Sequence, residues 1–172
     1  PNAVGLDNFL KAIQKGRSGV TFHQKLKDLK FSCCIGGIPT ICEDLKSQYL
    51  TPLQLRGFDS AGILYGCIAG MDAWKDAGFK IDKNSPPDHD SGMIFGTGTS
   101  GIGKFREAIY KIDDQKVKRL GSTVVVQTMA SGISAYLGGI LGLGNQVTTN
   151  SSACITGTEA LLMLSLIHIS EP

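Results

Sequence analysis

The segment DSAGILYGCIAGMDAWKDA, residues 59–77, sets the strongest constraint on how this chain folds. Ala61, Leu64, Tyr65, Ile68, Met71 and Trp74 recur at helical spacing, and Gly78 stands where a helix-ending glycine belongs. The apolar face is too wide for a surface helix, so the spacing predicts a helix buried between layers. Short apolar runs supply a sheet for those layers. Phe31–Ile38 (FSCCIGGI) and Ser91–Phe95 read as strands, the second of them buried, and Gln146–Asn150 is β-prone. Further helices are expected over Gly5–Lys15 (Leu6, Phe9, Leu10 and Ile13 on one face, ended by GRSG), from Thr51-Pro52, after the glycine-rich GTGTSGIG through Phe105 and Ile109, and over Met129–Leu143. NSPPDHD (84–90) is a surface loop, and Asp113–Arg119 is polar and solvated. Strands alternating with helices define an α/β class with a mixed or parallel sheet.

Composition removes several functions. With 172 residues, 42% hydrophobic and 19% charged, the chain reads as one soluble globular domain. A net charge of +2 argues against nucleic acid as a partner, and no apolar run suits a membrane span or a signal peptide. The five cysteines (33, 34, 42, 67 and 154) form no CxxC pair, which argues against a disulfide framework or zinc site and suits a reducing cytoplasm. LSLIHISEP, Leu164 to Pro172, reads as the translation of a transposon-end adaptor, so native sequence is expected to end near Met163.

Three chemistries can be weighed from the residues. Gly96-x-Gly98-x-x-Gly101 fits a dinucleotide-binding loop between strand and helix, but Asp113 and Asp114 meet the ribose-binding requirement only loosely. A turn that lets backbone approach something else closely is the favoured reading, and no cofactor is expected. Cys33, Cys34 and Cys42 could suggest metal or redox chemistry. Neighbouring strand residues point to opposite faces, however, so these read as small buried hydrophobes, with no metal. Cys154 follows a strand (QVTTN) and a short polar turn (SSA) and opens a helix, where free N–H groups and the dipole favour thiolate and could hold an oxyanion. On geometry alone a nucleophile and a buried structural cysteine both remain open.

SSACITG resembles the nucleophile motif of the β-ketoacyl-acyl carrier protein synthases, condensing enzymes of the thiolase-like fold. KAIQKGRSGVTF resembles that family's early helix and turn, MIFGTGTSG its strand and glycine-rich loop, and TMASGISAYL the helix before the nucleophile strand. Four motifs in order resemble the elongating synthases of dissociated fatty acid synthesis most. The resemblance implies that residues 1–163 are the N-terminal half of such a domain, without its first strand. It implies that Cys154 accepts an acyl chain from acyl carrier protein. Malonyl carrier protein then loses carbon dioxide, and its carbanion attacks the acyl group. Thr99 and Met129 match positions lining the acyl pocket, Met129 near a homodimer interface, and a small Thr99 implies tolerance of medium or long chains. Two catalytic histidines, a lysine and a second oxyanion donor belong to the family's C-terminal half; His23 and His89 match no histidine motif, and His168 lies in the adaptor-like tail. The parent is therefore expected to be a cytoplasmic acyltransferase, and this polypeptide alone to be inactive and prone to aggregate. The rivals are a non-condensing chain-length-factor-like partner, which typically lacks the cysteine, and another thiolase-fold acyltransferase.

Overall fold

The computed structural model describes residues 2–39, 43–55, 60–82 and 84–170. Contacts divide the chain into two units, residues 1–48 and 49–172. The first holds helix α1 (Leu6–Gln14), strand β1 (Thr21–Phe22), helix α2 (Gln24–Asp28) and strand β2 (Ile35–Gly36). β1 and β2 are antiparallel, with Thr21 opposite Gly36 and Phe22 opposite Ile35. The amphipathic helix expected over Gly5–Lys15 forms, but Leu6, Phe9, Leu10 and Ile13 stay exposed and only Ala12 is buried. The strand expected over Phe31–Ile38 shrinks to two residues, because α2 begins directly after its short partner β1. Cys33 is consequently exposed and Cys34 half-buried, so Cys33 is not the buried hydrophobe expected. Cys42 lies outside the described residues.

Helix α3 (Glu43–Tyr49) leads into the second unit, which continues with α4 (Pro52–Leu55), α5 (Ala61–Asp76), β3 (Met93–Gly96), α6 (Ile102–Asp113), α7 (Val124–Thr128), α8 (Gly132–Leu141), β4 (Val147–Asn150) and α9 (Thr156–Ser170). Thr51 and Gln54 cap α4 reciprocally: the Gln54 N–H donates to Thr51 Oγ1 at 3.3 Å and the Thr51 N–H to Gln54 Oε1 at 2.9 Å. α5 ends as its sequence predicts. Gly78 is left-handed at φ 86, its N–H reaches Lys75 O, and the Phe79 N–H reaches Trp74 O. The Phe79 ring then packs on Trp74 with centroids 4.6 Å apart.

β3 and β4 are parallel, in register from Met93–Val147 to Gly96–Asn150. Alternation along them sorts side chains between two helical layers. Phe95 approaches Gly66 of α5, and Met93 and Val147 approach Gly138 of α8, while Gly96 faces Thr156 at the start of α9. The core is Ile63, Leu64, Cys67, Ile68 and Met71 of α5 with Ile133 and Leu137 of α8. The two helices approach closely because Gly66 and Gly70 leave a groove for Ile133 and Leu137; a Cβ at either glycine would lie 2.6 and 2.2 Å from those side chains. This is the buried, layered helix expected over residues 59–77, although Asp59 itself lies outside the described residues.

Two boundaries differ from expectation. α8 starts at Gly132, not Met129, which instead closes α7, a short helix that VVVQT did not announce because β-branched residues favour strands. The last helix, expected to break off after Met163, runs on to Ser170. No helix among the described residues is long and apolar enough to cross a membrane.

Gln127 is the largest buried polar side chain among the described residues. It is fully buried, its Oε1 accepts the Ser60 N–H at 3.1 Å and its Nε2 donates to Thr123 Oγ1 at 3.0 Å. Gln127→Leu would orphan the Ser60 N–H at the head of α5, so a loss of about 1–3 kcal/mol is expected in urea unfolding. A variant as stable as the wild type would show that the amide contributes nothing net.

Candidate active site

Cys154 is exposed, in a 3-10 turn (Ala153–Ile155) that runs without a break into α9. It therefore stands two residues ahead of the α-helix it was expected to open. The preceding Ala153 has φ 51, left-handed backbone that a residue with a Cβ occupies only at a cost of about 1–2 kcal/mol. Neighbouring polar groups hold it there. The Ser152 N–H donates to Thr156 Oγ1 at 3.2 Å, and that hydroxyl donates back to Ala153 O. Asn150 Nδ2 donates to Thr156 O at 2.8 Å and to Glu159 Oε2 at 2.9 Å, and Ser152 Oγ donates to the same carboxylate oxygen. The hydrogen bond from Ser152, then that from Asn150, holds the Glu159 carboxyl below its ordinary value, so it is charged at neutral pH.

The glycine-rich loop comes to this turn. Ser151 Oγ donates to Gly98 O at 3.3 Å, and a Cβ at Gly98 would touch Ala153 O at 3.5 Å. A Cβ at Gly96 would lie 2.4 Å from Thr156 O. Gly101, left-handed at φ 66, lies against α7, where a Cβ would fall 1.9 Å from Gln127 O. Gly96 and Gly101 are thus spent on close approach of backbone to backbone inside the protein, which is the favoured reading of the loop over a dinucleotide site.

Thr99 is exposed in that loop, next in sequence to Gly98, whose carbonyl accepts from Ser151. Met129 is 48% exposed at the end of α7, one residue beyond Thr128, whose Cα abuts Gly101. The glycine-rich loop thus touches the Cys154 turn at Gly98 and α7 at Gly101. Reading the residues alone missed Asn150, Ser152, Thr156 and Glu159. Thr156-x-x-Glu159 before an apolar run has the form of a capping box and could have drawn attention to Glu159. His23 and His89 bond to the carbonyls of Gly36 and Gly144. Among the described residues no group of three or more His, Cys, Asp or Glu is placed to hold a metal ion.

The cysteines separate by environment. Burial pushes the Cys67 thiol up to about 12, so it carries almost no thiolate at neutral pH. Cys33 and Cys154 are exposed. Iodoacetamide at pH 7.5 should therefore label Cys33 and Cys154 at least about a hundredfold faster than Cys67, which should react only on unfolding. Peptide mass mapping checks this, and comparable native rates would contradict the buried setting of Cys67.

A strand, an exposed cysteine on a strained turn and a helix, with a glycine-rich loop against the turn, follow one another in a layered α/β unit. The family model described as "Beta-ketoacyl synthase, N-terminal domain" matches residues 48–169, and the chain belongs to that family. The chain is 30% identical over 156 residues to 3-oxoacyl-[acyl-carrier-protein] synthase 1 of Escherichia coli (strain K12), covering 88% of this chain and 36% of that protein. It thus spans about a third of that relative's length. A beta-ketoacyl synthase crystal structure from Burkholderia phymatum STM815 superposes with TM-score 0.77 at 19% identity, covering 96% of this chain and 40% of that one. A structure described as the ishigamide ketosynthase/chain length factor gives 0.69 at 14% identity, over 97% and 42%. The fold is the thiolase-like fold of these synthases. The family match runs past Met163, through most of the residues read as adaptor.

Proposed function

We propose that the whole protein to which these residues belong is a β-ketoacyl-acyl carrier protein synthase of fatty acid biosynthesis, with Cys154 as nucleophile. Thiolate attack on the carbonyl carbon of an acyl-carrier-protein thioester gives a tetrahedral oxyanion, and its collapse expels the carrier's pantetheine thiolate. The acyl chain is then a thioester on Cys154. Malonyl carrier protein loses carbon dioxide, its carbanion attacks that thioester, and the Cys154 thiolate leaves, giving a β-ketoacyl carrier protein. The Cys154 backbone N–H, at the turn that opens α9, is one oxyanion donor. Thr99 and Met129 line the acyl pocket, with a small Thr99 leaving room for medium or long chains.

The observation that carries this reading is the exposed Cys154 on its strained turn within a family-matched domain. α9 supports it. Leu161 and Leu162, ahead of the residues read as adaptor, are 69% and 57% exposed, and apolar side chains so placed on a helix are normally covered by more protein. The remaining catalytic groups, the histidines and lysine, are assigned to polypeptide beyond this chain, and the chain alone makes no ketoacyl product. We assign acyl carrier protein as partner, a homodimer as the working state and the cytoplasm as location. Leu164–Pro172 are read as adaptor-derived, and the source DNA past codon 163 tests that. A chain-length-factor-like role has a structural neighbour in its favour, but the cysteine that such partners lack is present. The test is to incubate the full-length enzyme with acyl carrier protein bearing a labelled acyl group and map the adduct. Label on Cys154 is expected, and label elsewhere or none would overturn the reading.

A further inference from the structure

We infer that Glu159 is the positioning residue of the nucleophile turn, its carboxylate tying Asn150 and Ser152 to the first turn of α9 so that Ala153 stays left-handed and Cys154 is presented outward. The inference rests on Cys154 being the nucleophile. One oxygen, Oε2, takes both hydrogen bonds: Asn150 Nδ2 at 2.9 Å from the end of β4, and Ser152 Oγ from the turn itself. The two donors bracket the chain that leads into Ala153, so the carboxylate acts as a pin across the bend. A charged acceptor makes such bonds about twice as strong as neutral ones. The orientation of Asn150 shows the same pull. Its Nδ2 faces two acceptors, Glu159 Oε2 and Thr156 O, while its Oδ1 is buried with no partner among the described residues. A side chain left to choose would not strand an amide oxygen in this way. Thr156, 4% exposed, completes the bend by donating to Ala153 O. It cannot replace Glu159, because Thr156 reaches only the backbone on either side of the strained residue. Glu159 also sits in the first turn of α9, where a negative charge faces the positive end of the helix dipole. The carboxylate touches no reacting atom in this arrangement, and its action on the thiol passes through the backbone.

Three forms of the full-length enzyme test this: wild type, Glu159→Ala and Glu159→Gln. Amide hydrogen exchange reads the turn, and acylation by an S-acyl-N-acetylcysteamine thioester reads the thiol, with exposed Cys33 in the first unit as internal reference. In Glu159→Ala the amides of 151–155 should exchange about tenfold faster, the worth of one charge-assisted hydrogen bond, with α5 and α8 unchanged. The Cys154-to-Cys33 acylation ratio should fall by about the same factor. Glu159→Gln keeps an oxygen acceptor and should recover both readouts to within about threefold of wild type. Unchanged exchange at 151–155 in Glu159→Ala, or a glutamine variant no better than alanine, overturns the inference. A general rise in exchange across α5 and α8 also counts against it, since that marks loss of fold rather than of position. Should wild-type Cys154 acylate no faster than Cys33, the nucleophile reading suffers, while the exchange data still decide the role of Glu159.

Discussion

Gly101→Ala should cost the chain about 3 kcal/mol or more of stability, among the larger effects a single methyl group can have. Two penalties add. Gly101 is left-handed at φ 66, a conformation that disfavours any residue with a Cβ by about 1–2 kcal/mol. The added carbon would also sit 1.9 Å from Gln127 O and 2.9 Å from Thr128 Cα, so backbone rather than a flexible side chain must move. Forcing α7 outward disturbs the buried Gln127 amide and with it the head of α5, and overpacking of this kind costs about 1–3 kcal/mol. Gly103 is the control. It lies in α6, and an added Cβ would meet nothing within 4 Å, so Gly103→Ala should be neutral or stabilising by up to about 1 kcal/mol. Urea unfolding followed by circular dichroism measures both. A Gly101→Ala midpoint matching the wild type would mean that the loop does not pack on α7 as described.

Cys154→Ala in the full-length enzyme should abolish acyl loading and lower condensation by at least about a thousandfold, because the acyl group then has no covalent carrier. Cys33→Ala and Cys34→Ala should leave both steps unchanged. The expected signature is a carrier-protein thioester that persists for the whole assay while malonyl carrier protein is still bound. Loading that survives in Cys154→Ala would move the nucleophile to another residue and with it the whole assignment of the turn.

What could be read from residues alone follows the range of the forces involved. α5 was legible because a wide apolar face and a terminal glycine are local signals, and Gly78 with Phe79 stops it as its sequence predicts. The Thr51 cap before Pro52 was legible for the same reason, but not its Gln54 partner. Cys154 was legible as a thiol at a strand-turn-helix junction, and the family resemblance, not the spacing, chose between nucleophile and buried cysteine. α7 was hidden because Val124–Val126 favour strand locally, and its helix depends on Gln127 fitting under Ser60, a contact 67 residues apart in sequence. Cys33 was misjudged because exposure depends on how far β1 extends, and FSCCIGGI carries no information about that. The pin at Glu159 joins residues seven and nine positions apart across a bend, where neither helical nor strand periodicity continues.

The parallel pairing of Met93 with Val147 also governs the order of assembly. Parallel neighbours need a crossover, and here it spans α6, α7 and α8, so the entropy of closing that excursion must be met before the first rung forms. The α5–α8 contact has comparable reach but gains from two preformed helices. The ladder and the bend beyond it, which positions the Cys154 thiol, should therefore appear late in folding. Pulse-labelling during refolding should find amides of α5 and α8 protected before those of 147–150. A nascent chain would then leave the left-handed turn that presents the Cys154 thiol unformed until the surrounding body exists.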